Sequence, residues 1–238
     1  IETVTGEIWE PQNYDKKFRG EVSVREALTF SLNVPTVELA LKVGVDSIAN
    51  TAELFGFGTN LPRVPSLALG AGEVSPLEMS RAYAAIANGG TLLNITPMNS
   101  ITLYNDEEPL YKVWQNGQKA ASEEAVYVLT NLMQSVIEYG TGRVVRRMGF
   151  EAPAAGNTGT SNDARDAWFA GFTPKLLAVV WVGYDSNKET GLTGASGAAP
   201  LWTRFMNCVS KMEPQLDFIP PTGVVFKKIE PESGLLHT

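Results

Sequence analysis

The sequence is poor in the two side chains that most often do chemistry at neutral pH. Its 238 residues contain one histidine and one cysteine. The single cysteine, Cys208, excludes an internal disulfide and any metal site built from several thiolates. His237 lies one residue from the C-terminus, which argues against a Ser-His-Asp triad or a histidine metal site. Chemistry must therefore come from Ser, Thr, Lys, Tyr or carboxylate groups, and we expect no metal and no cofactor.

An excess of positive charge and long apolar runs are also missing. The 19 basic and 26 acidic residues give a net charge of −7, which argues against nucleic acid as a partner because phosphate binding needs a basic surface. The longest apolar run, Leu176 to Val182, is too short to cross a bilayer. The composition, 44% apolar and 19% charged, is that of a globular chain with one sizeable core.

Helix signals dominate the first two thirds of the chain. Ser23 with Glu26, and Ser75 with Glu78, form capping boxes, in which each side chain satisfies a backbone N–H at the start of a helix. Together with proline and glycine positions, they predict helices over 24–30, 35–43, 46–56 and 76–88, and a longer one from Ser122 to the glycines at 140 and 142.

The last third is typical of β-structure followed by a helix. The first run, over 155–160, is short and glycine-rich. The second and third runs, over 166–172 and 176–184, are aromatic-rich or strongly apolar and are joined by a short turn, which predicts an antiparallel hairpin. The third run does not alternate, so we expect it to be central and covered on both faces. A helix over 200–212 should turn Trp202, Phe205, Met206 and Val209 to the core. The order of elements favours an α+β fold, with an antiparallel sheet packed between helices.

Two short segments stand out as candidates for chemistry. Ser31-Leu32-Asn33 lies at a helix–helix junction, where its polar groups could also simply satisfy helix-end backbone. Gly156-Asn157-Thr158-Gly159-Thr160-Ser161 is a glycine-flanked run of hydroxyls on a predicted strand. Such a strand can accept an extended peptide, because its glycine lets another backbone approach. A flexible turn before the hairpin is the competing interpretation.

Taken together, the two segments resemble the transpeptidase domain of the class A (bifunctional) penicillin-binding proteins, a family with Ser-x-x-Lys, Ser-x-Asn and Lys-Thr-Gly motifs. The similarity extends beyond the motifs to stretches over 11–20, 25–44, 69–90, 139–143, 166–174 and 194–206. It implies the fold of the penicillin-binding proteins and serine β-lactamases. A β-lactamase itself is less expected, because that family lacks the match over 166–206.

The resemblance implies a serine-type D-Ala-D-Ala transpeptidase that cross-links peptidoglycan stem peptides through an acyl-serine intermediate, and that β-lactam antibiotics acylate. By position, Ser31 would relay a proton and Asn33 would bond the substrate's backbone amide. The strand from Asn157 through Gly159 to Ser161 would align the substrate. Thr158, Thr160 and Ser161 would lie near its carboxylate, and the Thr160 N–H would be an oxyanion donor.

The chain departs from the family in having no Ser-x-x-Lys motif. We therefore expect the nucleophile and its base to lie before Ile1, so that the fold is incomplete at its N-terminal side. The chain alone should be inactive and should pair with that missing part of the domain. Residues 1–212 would be the C-terminal portion of the transpeptidase domain, and 213–238 an exit segment or the start of a further module. The parent would be extracytoplasmic and anchored through a segment absent here.

A second departure is Asn157, which stands where the family has lysine. A neutral amide cannot supply the positive charge of that lysine, and Arg143, Arg146 and Arg147 are nearby candidates to replace it. The substitution supports an alternative function, that of a non-catalytic, penicillin-binding-like scaffold that binds peptidoglycan or partner proteins.

Overall fold

The computed structural model describes residue 1, residues 8–58, 60–214 and 216–230, and residue 236. The helices are α1 (Val24–Thr29), α2 (Asn33–Val43), α3 (Val45–Leu54), α4 (Pro76–Ala87), α5 (Glu123–Glu138), α6 (Val144–Arg147) and α7 (Ala199–Val209). The strands are β1 (Thr91–Leu92), β2 (Ser100–Ile101), β3 (Tyr111–Lys112), β4 (Gln118–Lys119), β5 (Ala155–Thr160), β6 (Ala167–Phe172) and β7 (Leu177–Val182).

The helix starts lie where the capping residues predict them. Ser23 and Glu26 form a reciprocal capping box at α1, and Ser75 and Glu78 form another at α4. The bonds from Ser75 lower the pKa of the Glu78 carboxyl, because they stabilise its charged form. At α5 the Ser122 side chain accepts from the backbone N–H of Ala125. Local sequence therefore fixes these three helix starts.

The main sheet has three antiparallel strands in the order β5-β6-β7. The predicted hairpin is confirmed: Thr173 N–H donates to the Leu176 carbonyl at 2.8 Å, and the Thr173 hydroxyl accepts from Leu176 N–H. The prediction that the third run is central is wrong for this sheet, since in the described chain β6 is central and β7 is at an edge. Helices α4 and α7 both pack against β7, so an unbroken apolar run indicates covered faces rather than a central position.

The larger core lies between the sheet and α7, around Trp202. Its fully buried indole lies edge-on to Phe150 and Phe169, with ring centroids 5.3 and 5.2 Å away. The indole N–H donates to the carbonyls of Gly171 and Ala178. Of the four residues expected to face the core from this helix, Phe205 is instead 53% exposed. It lies to one side of the stripe through 199, 202, 203 and 206, because its helical angle falls outside that face.

A smaller core cluster lies on the opposite face of the sheet, around Phe172, Met133 and Ala155. Tyr83 of α4 packs edge-on against Phe172, and the half-buried Phe218 contacts the same ring from the C-terminal segment, with centroids 5.7 Å apart. The segment predicted as an exit piece, 213–238, thus lies partly against the domain. Residues 215, 231–235, 237 and 238 of it, with His237, are outside the described residues.

The region between α4 and α5 carries two short hairpins. Strand β1 pairs with β4, and β2 pairs with β3. The sheets are small and open, and β2 and β3 are exposed along their length. The architecture as a whole is the predicted mixture of helices and antiparallel sheet.

We expect truncation of Trp202 to be among the most damaging changes to the core. Trp202→Ala should lower the free energy of unfolding by about 3–5 kcal/mol, because it leaves a large cavity. Urea unfolding measures the change. Phe205→Ala, on the same helix but exposed, is the control and should cost no more than about 0.5 kcal/mol. Equal losses for the two variants would contradict this description of the core.

The phenol of Tyr83 should make folding sensitive to alkaline pH. Burial raises the pKa of Tyr83 to about 12 from 10.0, so its contribution to stability is complete below the unfolded pKa and is lost as pH rises toward the folded value. The urea concentration at the midpoint of unfolding should fall as pH rises above about 10, and this fall should be smaller in Tyr83→Phe. The fully exposed Tyr104 gives the control, Tyr104→Phe. A fall as steep in Tyr83→Phe as in Tyr104→Phe would refute this.

Candidate active site

Ser31 lies in a strained turn between α1 and α2. Its backbone φ is +52°, a left-handed conformation that residues other than glycine rarely adopt. Leu32 N–H donates back to the Ala27 carbonyl at 2.8 Å, and Ser31 N–H donates to Leu28. The Ser31 side chain is exposed, and its hydroxyl makes no hydrogen bond within the described ranges. Backbone strain held in this way is typical of functional positions.

Asn33 is the first residue of α2, and its side chain is half-buried. Its Nδ2 donates to the backbone carbonyl of Gln12 at 2.7 Å. The amide is therefore anchored to a segment that precedes it by 21 residues, rather than to its own helix.

A chain of contacts joins this junction to β5. Thr141 N–H donates to the carbonyl of Thr29, the last residue of α1, at 3.1 Å. The hydroxyls of Thr141 and Thr158 lie 2.7 Å apart. Gly140 must be a glycine here, since a Cβ would overlap the Thr29 carbonyl. These contacts connect the end of α1, two residues before Ser31, to the middle of the predicted substrate strand.

One edge of β5 is open. Ser161 N–H donates to the Asp166 carbonyl at 3.1 Å, so this pair is hydrogen-bonded in the β5–β6 ladder. Because such pairs alternate in an antiparallel ladder, the N–H and C=O groups of Gly156, Thr158 and Thr160 point away from β6. No strand of the described chain pairs with them there. An edge of this kind can accept an extended peptide.

Two hydroxyls at the end of β5 are set up as donors. The Thr160 hydroxyl accepts from Gly194 N–H at 3.0 Å, and the Ser161 hydroxyl accepts from Asp166 N–H at 2.8 Å. Each oxygen thus has a backbone donor and keeps its own hydrogen free to give. O–H donors of this kind suit a carboxylate. The Thr158 hydroxyl is instead shared with Thr141.

Glycines bring backbone close together around this strand end. A Cβ on Gly159 would lie 3.1 Å from the Cβ of Trp168 on β6, and a Cβ on Gly194 would overlap the Trp168 carbonyl. Gly194 opens the helical segment Gly194–Ala198, which begins with a Thr193–Ser196 capping box, and the bond from its N–H to the Thr160 hydroxyl ties it to β5. The Trp181 indole N–H donates to the Asp166 carboxylate at 2.9 Å, which braces the turn after Ser161.

Asn157 is half-buried and folds back on its own strand. Its Oδ1 accepts from Thr158 N–H at 2.9 Å, which engages one of the open-edge donors. Of the three arginines considered as replacement charges, Arg146 is engaged elsewhere. It pairs with Glu138 at 2.6 Å and donates to the carbonyls of Phe150 and Ala152. Arg143 and Arg147 are exposed.

The sequence motifs omitted two contributors, Thr141 and Gly194. Both lie outside the Ser-x-Asn and Thr-Gly-Thr segments, and they act through contacts spanning 17 and 34 residues. The signal for both was the similarity to the family over 139–143 and 194–206, which did not single out either residue. In the described ranges no cluster of three or more His, Cys, Asp or Glu could hold a metal. Nor does any helix there have the length and apolar character needed to span a membrane.

Comparison with known proteins gives one consistent result. A family model described as the penicillin binding protein transpeptidase domain matches residues 2–207. Penicillin-binding protein 1B of Haemophilus influenzae is 35% identical over 217 residues, 91% of this chain and 27% of that protein. Penicillin-binding protein 1A of Neisseria lactamica is 35% identical over 230 residues, 92% of this chain and 28% of that protein.

The structural match agrees with the sequence match. The crystal structure of penicillin-binding protein 1A from Haemophilus influenzae superposes with a TM-score of 0.92 at 26% identity, over 100% of this chain and 41% of that one. The chain spans just over a quarter of the length of the two curated relatives, 27% and 28%. With the family model matching most of its length, the chain belongs to the penicillin-binding protein transpeptidase domain family.

Proposed function

We propose that this chain is part of a peptidoglycan D,D-transpeptidase that cross-links stem peptides through an acyl-serine intermediate. The observation that carries the proposal is the open edge of β5, which ends in the Thr160 and Ser161 hydroxyls and which Thr141 connects to the end of α1. A peptide ending in D-Ala-D-Ala offers the two matching features, an extended backbone and a terminal carboxylate. β-Lactams, which carry a carboxylate beside a reactive amide, would use the same groups.

In the proposed mechanism the donor peptide lies along β5. The Thr160 and Ser161 hydroxyls donate to its carboxylate, and open-edge backbone groups bond its amides. A serine oxygen attacks the carbonyl of the penultimate residue and its proton passes to a base, which then protonates the nitrogen of the terminal D-Ala so that it leaves as an amine. The Thr160 N–H, which points to the open edge, stabilises the oxyanion. The amine of a second stem peptide then attacks the ester and gives a proton to the base, which returns it to the serine oxygen as the ester breaks.

Ser31 and Asn33 have supporting roles in this proposal. The exposed Ser31 hydroxyl, which has no partner in the described chain, can take a proton from one group and give one to another. Asn33 presents a fixed carboxamide to a backbone amide of the peptide. The attacking serine and its lysine base are supplied by polypeptide outside residues 1–238, because the sequence contains no Ser-x-x-Lys. The same proposal places the parent outside the cytoplasm, where peptidoglycan is cross-linked.

One observation favours a second function, a scaffold that binds peptidoglycan or a partner without catalysis. Asn157 puts no charge at the site, and its side chain engages the Thr158 N–H. A scaffold needs neither the charge nor a nucleophile. The coding sequence upstream of Ile1 separates the two functions, since a scaffold would lack Ser-x-x-Lys there.

We expect residues 1–238 alone to form no covalent adduct with fluorescent penicillin, because the attacking serine is absent. The complete translation product of the encoding gene should be labelled. Gel fluorescence against a heat-denatured control measures both. Ser31→Ala in the complete product should reduce the labelling rate without abolishing it. Labelling of the 238-residue chain itself, or none of the complete product, would contradict the proposal.

Restoring a charge at position 157 should accelerate acylation. A charge-assisted hydrogen bond is worth about 1.5–3 kcal/mol, so Asn157→Lys in the complete product should raise the acylation rate about ten- to a hundredfold if the contact forms in the transition state. Asn157→Gln, neutral and similar in length, is the matched control. An unchanged rate in Asn157→Lys would mean that the charge is dispensable or supplied by another group.

A further inference from the structure

The helix that begins at Asn33 has no cap of its own. Its N-cap residue is Leu32, whose side chain has no oxygen to accept from the first free backbone N–H groups. Pro35 removes one such donor, since it has no N–H. The Val34 N–H still needs an acceptor, and neither Asn33 nor the Leu32 side chain provides one.

Asn13 supplies that acceptor from 21 residues upstream. Its Oδ1 accepts from Val34 N–H at 3.1 Å, at the position that an N-cap side chain normally serves. Its Nδ2 donates to the Lys17 carbonyl at 2.7 Å, so both ends of the carboxamide are satisfied. The residue is 5% exposed, and a buried amide with two fixed partners has one orientation.

The same turn holds the Asn33 side chain. Lys16 N–H donates to the Asn13 carbonyl at 2.8 Å, and Lys16 adopts a left-handed φ of +56°. This closes residues 13–17 into a turn folded around the Asn13 carboxamide. The carbonyl of Gln12, directly before it, accepts from the Asn33 Nδ2. The start of α2 and the Asn33 side chain are therefore held by two neighbouring residues, Asn13 through its carboxamide and Gln12 through its carbonyl.

We propose that Asn13 is a positioning residue, which caps α2 from outside the helix and thereby fixes Asn33 and the strained Ser31 at the junction between α1 and α2. A left-handed serine persists only where its surroundings determine it on both sides. On one side the end of α1 holds it, through the bonds from Ser31 and Leu32 N–H. On the other side the start of α2 is held by Asn13. The relevance to acyl transfer rests on the function proposed above, but the geometry does not.

Amide hydrogen exchange on the 238-residue chain, followed by NMR, tests the cap directly. Asn13→Ala should make the Val34 amide exchange about fivefold to thirtyfold faster, the loss expected for a missing N-cap bond. The β5–β6 amides should not change. Asn116→Ala, at an exposed asparagine, is the control. Unchanged exchange at Val34, or equal acceleration across the sheet, would overturn the inference.

A conservative variant separates capping from general stability. In Asn13→Asp a carboxylate oxygen can still accept from Val34 N–H, and its charge suits a helix N-terminus. The donor to the Lys17 carbonyl is lost. We therefore expect Val34 to keep its protection in Asn13→Asp, although the chain is less stable. Loss of Val34 protection in parallel with global stability would assign Asn13 a merely structural role and overturn the proposal.

The Asn33 side-chain amide gives the second signature. While Nδ2 donates to the Gln12 carbonyl, its two protons should have well-separated chemical shifts. In Asn13→Ala the two chemical shifts should move toward those of a free side-chain amide.

None of these measurements needs catalysis. If they succeed while the complete product is not acylated by penicillin, the proposed function fails and the positioning role stands. If acylation occurs but Val34 and Asn33 do not respond, the positioning role fails alone.

Discussion

The hydrogen bond from Thr141 N–H to the Thr29 carbonyl is the contact on which the site depends. It fastens the turn after α5 to the end of α1, and the Thr141 hydroxyl then reaches Thr158 on β5. Only glycine fits at position 140, because the two backbones touch there. Without this contact, Thr141 would no longer connect the end of α1, near Ser31, to strand β5.

A second group of bonds keeps α1 in register with α5. Arg25 donates to the Asn131 carbonyl and to the Ser135 hydroxyl, the latter at 2.7 Å. A guanidinium with several fixed acceptors restricts how one helix slides along the other. The site is thus assembled by backbone and side-chain hydrogen bonds between distant segments. Apolar clusters pack on the two faces of the sheet that contains β5.

The local features of the fold could be predicted from sequence, and the long-range ones could not. Capping boxes at Ser23 and Ser75 gave correct helix starts, and the glycine-rich run 155–160 coincides with β5, because these signals lie within a few residues of their effect. The edge position of β7 and the exposure of Phe205 depend on which elements pack nearby. The Asn13 and Gly194 contacts span 21 and 34 residues, so no local pattern indicates them.

We propose that the Ser31–Asn33 junction and the open edge of β5 form one peptide site. NMR titration of the 238-residue chain with a peptide ending in D-Ala-D-Ala tests this proposal. Amide shifts at Ser31, Asn33, Thr158 and Thr160 should change together and fit a single dissociation constant. Shifts confined to one of the two segments, different constants for the two, or no response in either would contradict it.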